Sequence, residues 1–161
     1  MDVGRVALKA QLLQERKVMR MWHGQMAYLN VCDLCGKANP TDLHECLISR
    51  GRALGNAGLA QAVLVCKYNL SLTCNRCNVQ LAEIERYRRL LIGKNLDRYG
   101  LAPVRAWLCE LLFTSESQRQ EYVRLVEDIA RENRPGRWAE ESEPNLWNYG
   151  RRPWKEVAER K

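Results

Sequence analysis

Cys32-Asp-Leu-Cys35 and Cys74-Asn-Arg-Cys77 are two Cys-x-x-Cys turns on either side of the middle of the chain. Each such turn points two sulfur atoms at one place, and two turns complete a tetrahedral ligand set. The pattern predicts a zinc site with Cys32, Cys35, Cys74 and Cys77 as ligands. The alternatives are an iron–sulfur cluster and a redox dithiol, and a redox dithiol would need only one pair. Four sulfur ligands leave the ion no open position, so this zinc is expected to be structural.

The charge of the chain favours an anionic partner. Its 161 residues carry a formal net charge of +7, with a sequence pI near 9.2. Lys and Arg outnumber acids by five to two in 1–31, five to three in 32–78 and seven to five in 134–161, whereas 79–133 balances at nine each. The alternative is a basic surface without a specific partner.

The expected compartment is a reducing cytoplasm without membrane contact. No apolar run approaches the ~20 residues of a membrane span, and the N-terminus lacks the apolar core of a signal peptide. Paired cysteines in a reducing cytoplasm are more often metal ligands than disulfides. Cys46 and Cys66 lie in apolar stretches and are expected to be small buried hydrophobic residues.

The apolar periodicity predicts an α+β chain with a small strand pair. Helical spacing of apolar residues favours one N-terminal helix over 3–30, and a further helix follows the second cysteine turn until Gly93. Two strands are expected, over 41–48 and 63–73, with a short helix over 54–62 between them. Thr114 or Ser115 can cap a last helix that ends at Asn133. The predicted units are an N-terminal helix (1–30), a zinc core (31–92), a helical support (93–133) and a Trp/Arg-rich tail (134–161).

The tail is unusual because it holds three tryptophans. Trp138, Trp147 and Trp154 are accompanied by Arg151 and Arg152. Disordered tails are poor in aromatic residues. The segment is therefore expected either to fold back onto the domain or to dock a partner protein or nucleic acid through aromatic and arginine contacts.

His44 and Asn69 are the candidate site residues between the two cysteine turns. The other histidine, His23, lies in the predicted N-terminal helix. Asn69 comes five residues before Cys74, which places it near the metal and beside the second strand. An isolated histidine is commonly just hydrogen-bonded near a turn, but the position of His44 between the cysteine turns favours a site.

The order of these motifs resembles the zinc-containing HNH endonucleases, and most closely the small HNH proteins of phage genomes. The resemblance covers about residues 31–80 and rests on Leu43-His44-Glu45, Ser49-Arg50-Gly51 and Tyr68-Asn69-Leu70 between the cysteine turns. It implies a ββα-metal fold, treble-clef-like, in which two strands and a helix surround a divalent ion such as Mg²⁺ or Mn²⁺. It also implies DNA as the substrate, cut by nicking or by double-strand cleavage.

The resemblance implies roles for named residues but leaves the general base open. His44, Glu45 and Asn69 would be catalytic, and His44, Asn69 and Asp42 would bind the ion. Asn69 matches the family asparagine, which holds either the catalytic loop or the metal. Either Glu45 takes the base position, or His44 is the base and Asp42 or Glu45 supplies a metal oxygen. Asn78 stands where the family often has its last histidine.

Several arginines near these motifs can contact phosphates, although a solvated helix face explains the later ones equally well. The candidates are Arg50, Arg52, Arg76, Arg86 and Arg89. The sequence thus predicts a metal-dependent DNA endonuclease of HNH type. The alternatives are a zinc-stabilised DNA-binding module without catalysis and an adaptor that docks a protein through its tail.

Overall fold

The structure is a computed structural model that describes residues 3–53 and 55–132. The predicted tail 134–161 lies outside these residues. The described part combines helices with two small antiparallel sheets, which confirms the α+β class in its coarse form. The elements are α1 (Val3–Glu15), β1 (Val18–Trp22), β2 (Gln25–Leu29), β3 (Asp42–Glu45), a 3₁₀ turn (Arg50–Ala53), α2 (Ala57–Leu64), β4 (Leu70–Thr73), α3 (Asn75–Gln80), α4 (Glu85–Tyr99), α5 (Leu101–Glu110) and α6 (Glu116–Glu132).

The predicted N-terminal helix over 3–30 is wrong beyond α1. The helix ends at Glu15, and β1 and β2 form an antiparallel hairpin. His23 and Gly24 connect the strands with φ angles of 48° and 81°. Positive φ at both central residues is the signature of the tight turns that match the twist of a hairpin. The apolar residues here alternate along two strands, a pattern that also fits a loose helical stripe.

The second sheet pairs β3 with β4 and brings the two predicted strands together. In the antiparallel register, Asp42 lies opposite Thr73 and His44 lies opposite Ser71. Each strand is only four residues long, so both are shorter than predicted. The predicted short helix between the strands is present as α2, and the Asn56 side chain caps it by accepting from Leu59 N at 3.0 Å.

The single helix predicted after the second cysteine turn is divided into α3 and α4. The amides of Leu81 and Ala82 both donate to Cys77 O at 3.0 Å, which closes a tight turn between them. Gly93 does not end a helix, because it is buried inside α4. The helix ends instead at Gly100, whose φ of 84° favours glycine. Since α4 crosses residue 92, it belongs to both the predicted zinc core and the predicted support.

The main core joins the cysteine turns to the C-terminal helices. Its buried side chains include Leu34, Leu91 and Leu108, and α6 contributes Tyr122 and Ile129. A smaller cluster of Leu12, Leu70 and Leu72 packs α1 against β4. Within residues 3–53 and 55–132, no helix is long and apolar enough to cross a membrane.

Candidate functional site

The four predicted cysteine ligands form one compact cluster. Their Sγ atoms all lie within 4.8 Å of one another, and Cys35 Sγ is 3.8 Å from Cys74 Sγ. The first turn is closed by Gly36 N, which donates to Cys32 O at 2.9 Å. In the second turn Cys74 is the N-cap of α3, where Asn78 N donates to its carbonyl at 3.0 Å. This cluster can hold a metal ion such as zinc.

The thiols of the cluster differ in pKa. Hydrogen bonding with Cys32 lowers the pKa of Cys35 to about 4, whereas hydrogen bonds with Cys32 and Cys35 raise the pKa of Cys77. A metal ion binds thiolates and releases such protons. The cluster therefore already favours a negative charge on part of its ligand set.

A group of charged side chains surrounds Asp33, which lies within the first cysteine turn. Asp33 is buried and pairs with Arg98, and its Oδ2 is 3.6 Å from Arg16 Nη1. Lys94 Nζ donates to Asp33 O at 2.6 Å. Burial alone would raise the pKa of Asp33, but the charges of Arg98, Lys94 and Arg16 outweigh it and lower that pKa. Asp33 is thus an anion held by three cations.

The charges around Asp33 have the sign opposite to that of a tetrathiolate metal centre, although Arg98 is partly exposed. Burial lowers the pKa of Lys94 to about 8, so this amine is still charged at pH 7. Arg16, Lys94 and Arg98 then exceed Asp33 by two positive charges. A divalent ion with four thiolates has two negative charges in excess. Nearby positive charge stabilises thiolates, which are the form of cysteine that binds a metal ion.

Thiol alkylation should report the occupancy of the cluster. At pH 7.5 the metal-loaded protein is expected to be labelled mainly at Cys109, which is exposed. Burial raises the pKa of Cys46 and of Cys66 to about 11, which makes these two thiols slow to react. Adding a strong chelator should release the four cluster thiols for labelling, with Cys35 first. Mass spectrometry of the labelled peptides measures each site, and unchanged labelling after chelation would contradict a bound metal.

A second group of polar side chains lies where β3 faces α3. Asn78 connects the two elements, because its Oδ1 is 3.0 Å from His44 Nδ1 and its Nδ2 donates to Asp42 Oδ2 at 3.1 Å. Asn75 Nδ2 also donates to Asp42 Oδ2, at 3.3 Å. The structure thus brings predicted residues Asp42 and His44 together with Asn78, on the face of β3 that is directed at α3.

The hydrogen bonds of His44 fix which ring nitrogen is available. An amide oxygen can only accept, so Asn78 Oδ1 takes the proton of Nδ1 and Nε2 retains a lone pair. That Nε2 is buried, finds no hydrogen-bond partner among the described residues, and lies 3.8 Å from Glu83 Oε1. Burial lowers the pKa of His44. The imidazole is therefore neutral at pH 7 and offers one nitrogen to a proton or a metal ion.

Glu45 does not share this site with His44. Alternation along β3 turns it to the opposite face, where its Oε1 is 2.9 Å from Arg5 Nη1 of α1. Its Oε2 accepts from Arg50 N at 3.1 Å. The geometry corrects the interpretation of Glu45 as a base or metal ligand beside His44, because the carboxylate is used to hold α1 and the following loop.

Asn69 is occupied by the backbone of the loop after β3. Its Oδ1 accepts from Leu47 N at 3.0 Å and Ile48 N at 2.7 Å, and its Nδ2 donates to Ile48 O and Val63 O, both at 2.9 Å. These four bonds use both amide lone pairs and both N–H groups. Of the two roles considered for Asn69, the geometry supports holding the loop and leaves no atom for a metal ion.

Asn69→Ala is expected to act mainly by lowering the stability of the fold and not by removing a group that takes part in the reaction. The change leaves four buried backbone groups unpaired, so the unfolding free energy should fall by roughly 3–4 kcal/mol. Denaturant unfolding measures this loss. Asn56→Ala, which removes a half-buried helix cap and its bond to Leu112 O, should cost about 1 kcal/mol as a matched control. A stable Asn69→Ala protein without activity would instead place this amide at the reacting groups.

The predicted phosphate-contacting arginines do not form one track. Arg89 pairs with Glu132 of α6 at 2.8 Å, and Arg52 lies 3.5 Å from Tyr122 Oη and 3.7 Å from Glu121 Oε1. These two arginines therefore connect elements of the fold, although Arg52 remains half exposed. The remaining candidates lie after β3, on α3 and at the start of α4: Arg50, Arg76 and Arg86.

Sequence reasoning missed three residues that shape the site. Glu83 approaches His44 from the break between α3 and α4, Arg88 donates to Cys46 O and Leu47 O at 3.0 and 2.7 Å, and Asp33 gathers the buried cations. The only feature of the sequence that could have identified these three residues is a charge close to a cysteine turn or to the helix after it. Such residues are common on solvated surfaces, so the signal is weak.

No family model, curated protein or solved structure matches this chain. Evidence for function therefore comes from the residues, their geometry and the resemblance of the motifs.

Proposed function

We propose that this protein is a metal-dependent DNA endonuclease of HNH type. The observation that carries the proposal is the convergence of Asp42, His44 and Asn78 between β3 and α3, with a free ring nitrogen at His44. An acidic oxygen, a neutral imidazole and an amide within hydrogen-bond distance are suitable groups for a divalent ion and for general base chemistry.

The four-cysteine cluster supports this proposal as a structural zinc site. Asp33 N donates to Leu72 O at 2.7 Å and Leu72 N donates to Asp33 Oδ2 at 2.9 Å, so the first cysteine turn is attached to β4. The second turn is the start of α3. A zinc ion joining the turns would hold α3 against the strand pair, and β3, β4 and α3 would form the ββα-metal core.

The polar group between β3 and α3 holds donor types that a second divalent ion uses, although among the described residues only the four cysteines lie close enough together to form a metal site. Asp42 and Glu83 offer carboxylate oxygens, and His44 offers the buried Nε2 that lacks a partner. Mg²⁺ prefers oxygen ligands, and Mn²⁺ also accepts imidazole. When bound, such an ion supplies stabilisation of the negative charge that develops on a phosphodiester in hydrolysis.

Two roles are open to the chain's own residues in this reaction. His44 Nε2 can accept the proton of the attacking water, since the ring is neutral and its Nδ1 is held by Asn78. Alternatively His44 binds the ion, and the exposed Glu83 carboxylate accepts the proton. Asn78 orients the imidazole in both cases, which makes it a positioning residue.

A supercoiled-plasmid assay tests the proposal. Purified protein with confirmed zinc content is incubated with plasmid DNA in Mg²⁺, Mn²⁺ or EDTA. Metal-dependent conversion to nicked or linear DNA is expected, and EDTA should abolish it. Absence of cleavage in every metal, with zinc bound and the fold intact, would refute the nuclease.

A DNA-binding module without catalysis is the second candidate. It is favoured by the side chain of Asn78, which binds both Asp42 and His44 and so closes the site on itself. This candidate predicts salt-sensitive DNA binding without cleavage in the same samples, because phosphate contacts release counterions. The third idea, an adaptor that docks a protein through 134–161, concerns residues outside the described ranges.

A further inference from the structure

The β1–β2 hairpin exposes an unusual apolar face. The register pairs Met19 with Tyr28 and Met21 with Met26, and directly opposed residues lie on the same face. Each of these four side chains is between 44% and 66% exposed. Exposed apolar side chains gathered in this way mark an interaction surface more often than isolated ones do.

The hairpin is attached at its base and open along its edges. Among the described residues, β1 and β2 form a sheet only with each other. At the base, Asn39 N donates to Asn30 O at 3.0 Å, and Val31 bridges to Ala38 in the first cysteine turn. The base of the hairpin is therefore connected to the two ends of the loop that carries Cys32 and Cys35.

The charge around the hairpin indicates the kind of partner. No acidic residue occurs between Glu15 and Asp33, whereas Lys17 and Arg20 lie in this stretch. Lys17, which directly precedes β1, is exposed. A second copy of the chain would bring the same positive charges together, which opposes pairing through this surface. Nucleic acid offers the complementary charge.

We propose that the β1–β2 hairpin is a DNA-reading arm that lies in the major groove of duplex DNA. The inference rests on the proposed nuclease function and adds its binding element. A two-stranded ribbon fits the major groove, and five residues per strand span about 17 Å. Met19, Met21, Met26 and Tyr28 then contact thymine methyl groups and base edges, while Lys17 contacts a phosphate.

The test separates binding from cleavage by using a His44→Ala protein, which is not expected to cut. Its affinity for a short labelled duplex is measured by fluorescence anisotropy and compared with that of the same protein carrying Met21→Ser and Met26→Ser. We expect the dissociation constant to rise roughly tenfold. Leu112→Ser, which changes an apolar side chain 71% exposed elsewhere, is the matched control and should leave binding unchanged.

Additional measurements decide whether the apolar face of the hairpin binds DNA or a second copy of the chain. Zinc content and circular dichroism establish that each variant is folded, and sedimentation measures its oligomeric state. A duplex with deoxyuridine in place of thymidine should bind several-fold more weakly to the parent protein but not to the double variant. Equal DNA affinity of parent and double variant would overturn the inference. A change in oligomeric state at unchanged DNA affinity would also overturn it and assign the face to a second copy.

Failure of the inference is distinguishable from failure of the proposed function. DNA cleavage by the wild type together with hairpin-independent binding would leave the nuclease intact and remove the arm. Hairpin-dependent binding without cleavage by the wild type would keep the arm and remove the nuclease.

Discussion

A protein with Cys77→Ser is expected to lose its bound metal and its cooperative unfolding transition. Cys77 is buried and lies within 4.8 Å of the three other cluster sulfurs. A structural zinc site in a small domain supplies about 10–16 kcal/mol of apparent binding free energy. That is as large as the whole stability of a typical domain, about 5–15 kcal/mol. Serine does not replace a thiolate ligand, so little of this contribution should survive.

Metal analysis and thermal unfolding followed by circular dichroism measure the effect. Cys109→Ser is the matched control, since Cys109 is an exposed cysteine on α5 outside the cluster. It should retain both the metal and the unfolding temperature. Treating the wild type with a strong chelator should reproduce the Cys77→Ser result. An unchanged metal content and unfolding temperature in Cys77→Ser would show that the cluster is not a metal site.

His44→Ala is expected to reduce plasmid cleavage at least ~100-fold while the protein stays folded and zinc-bound. The imidazole is 6% exposed and presents Nε2 beside Glu83. Loss of a general base or of a metal ligand typically lowers the rate by about 10²–10⁴. Initial rates of nicking, in the metal that supports the fastest wild-type reaction, measure the change.

Glu45→Gln serves as the comparison for His44→Ala. Glu45 pairs with Arg5 on the other face of β3, so its replacement should lower stability slightly and leave the cleavage rate within a few-fold of wild type. A large loss of cleavage in Glu45→Gln, with His44→Ala still active, would assign the base to Glu45. It would also contradict the site between β3 and α3.

The pH dependence of cleavage follows from the direction of the His44 pKa. Burial lowers this pKa, so the ring of the folded protein binds a proton only below the ordinary histidine value of about 6.5. The cleavage rate should be at its maximum at pH 7. It should fall as the pH drops below about 6.5, because protonation of His44 removes the Nε2 lone pair. Cleavage that increases on acidification would exclude a neutral imidazole as the active form.

The tertiary structure alone reveals how the polar residues are used. Asn69 looked equally suited to an ion or a loop, and only its four backbone hydrogen bonds distinguish these roles. Glu45 stands next to His44 in the chain, yet pairing with β4 turns the two side chains to opposite faces. Asn78 reaches His44 from within α3, and Glu83 does so from the tight turn that follows α3, which the apolar periodicity did not show.

The sequence by itself determined the four-cysteine cluster and the α+β character of the chain. The geometry of a Cys-x-x-Cys turn is local, because the two cysteines are separated by only two residues. The turn itself therefore places both sulfur atoms near one point. The hairpin was missed because the left-handed turn at His23 and Gly24 is a weak local signal within an apolar pattern that also fits a helix. The buried pairing of Asp33 with Arg16 and Arg98 required the tertiary structure, since residues distant in sequence meet only when the core closes around them.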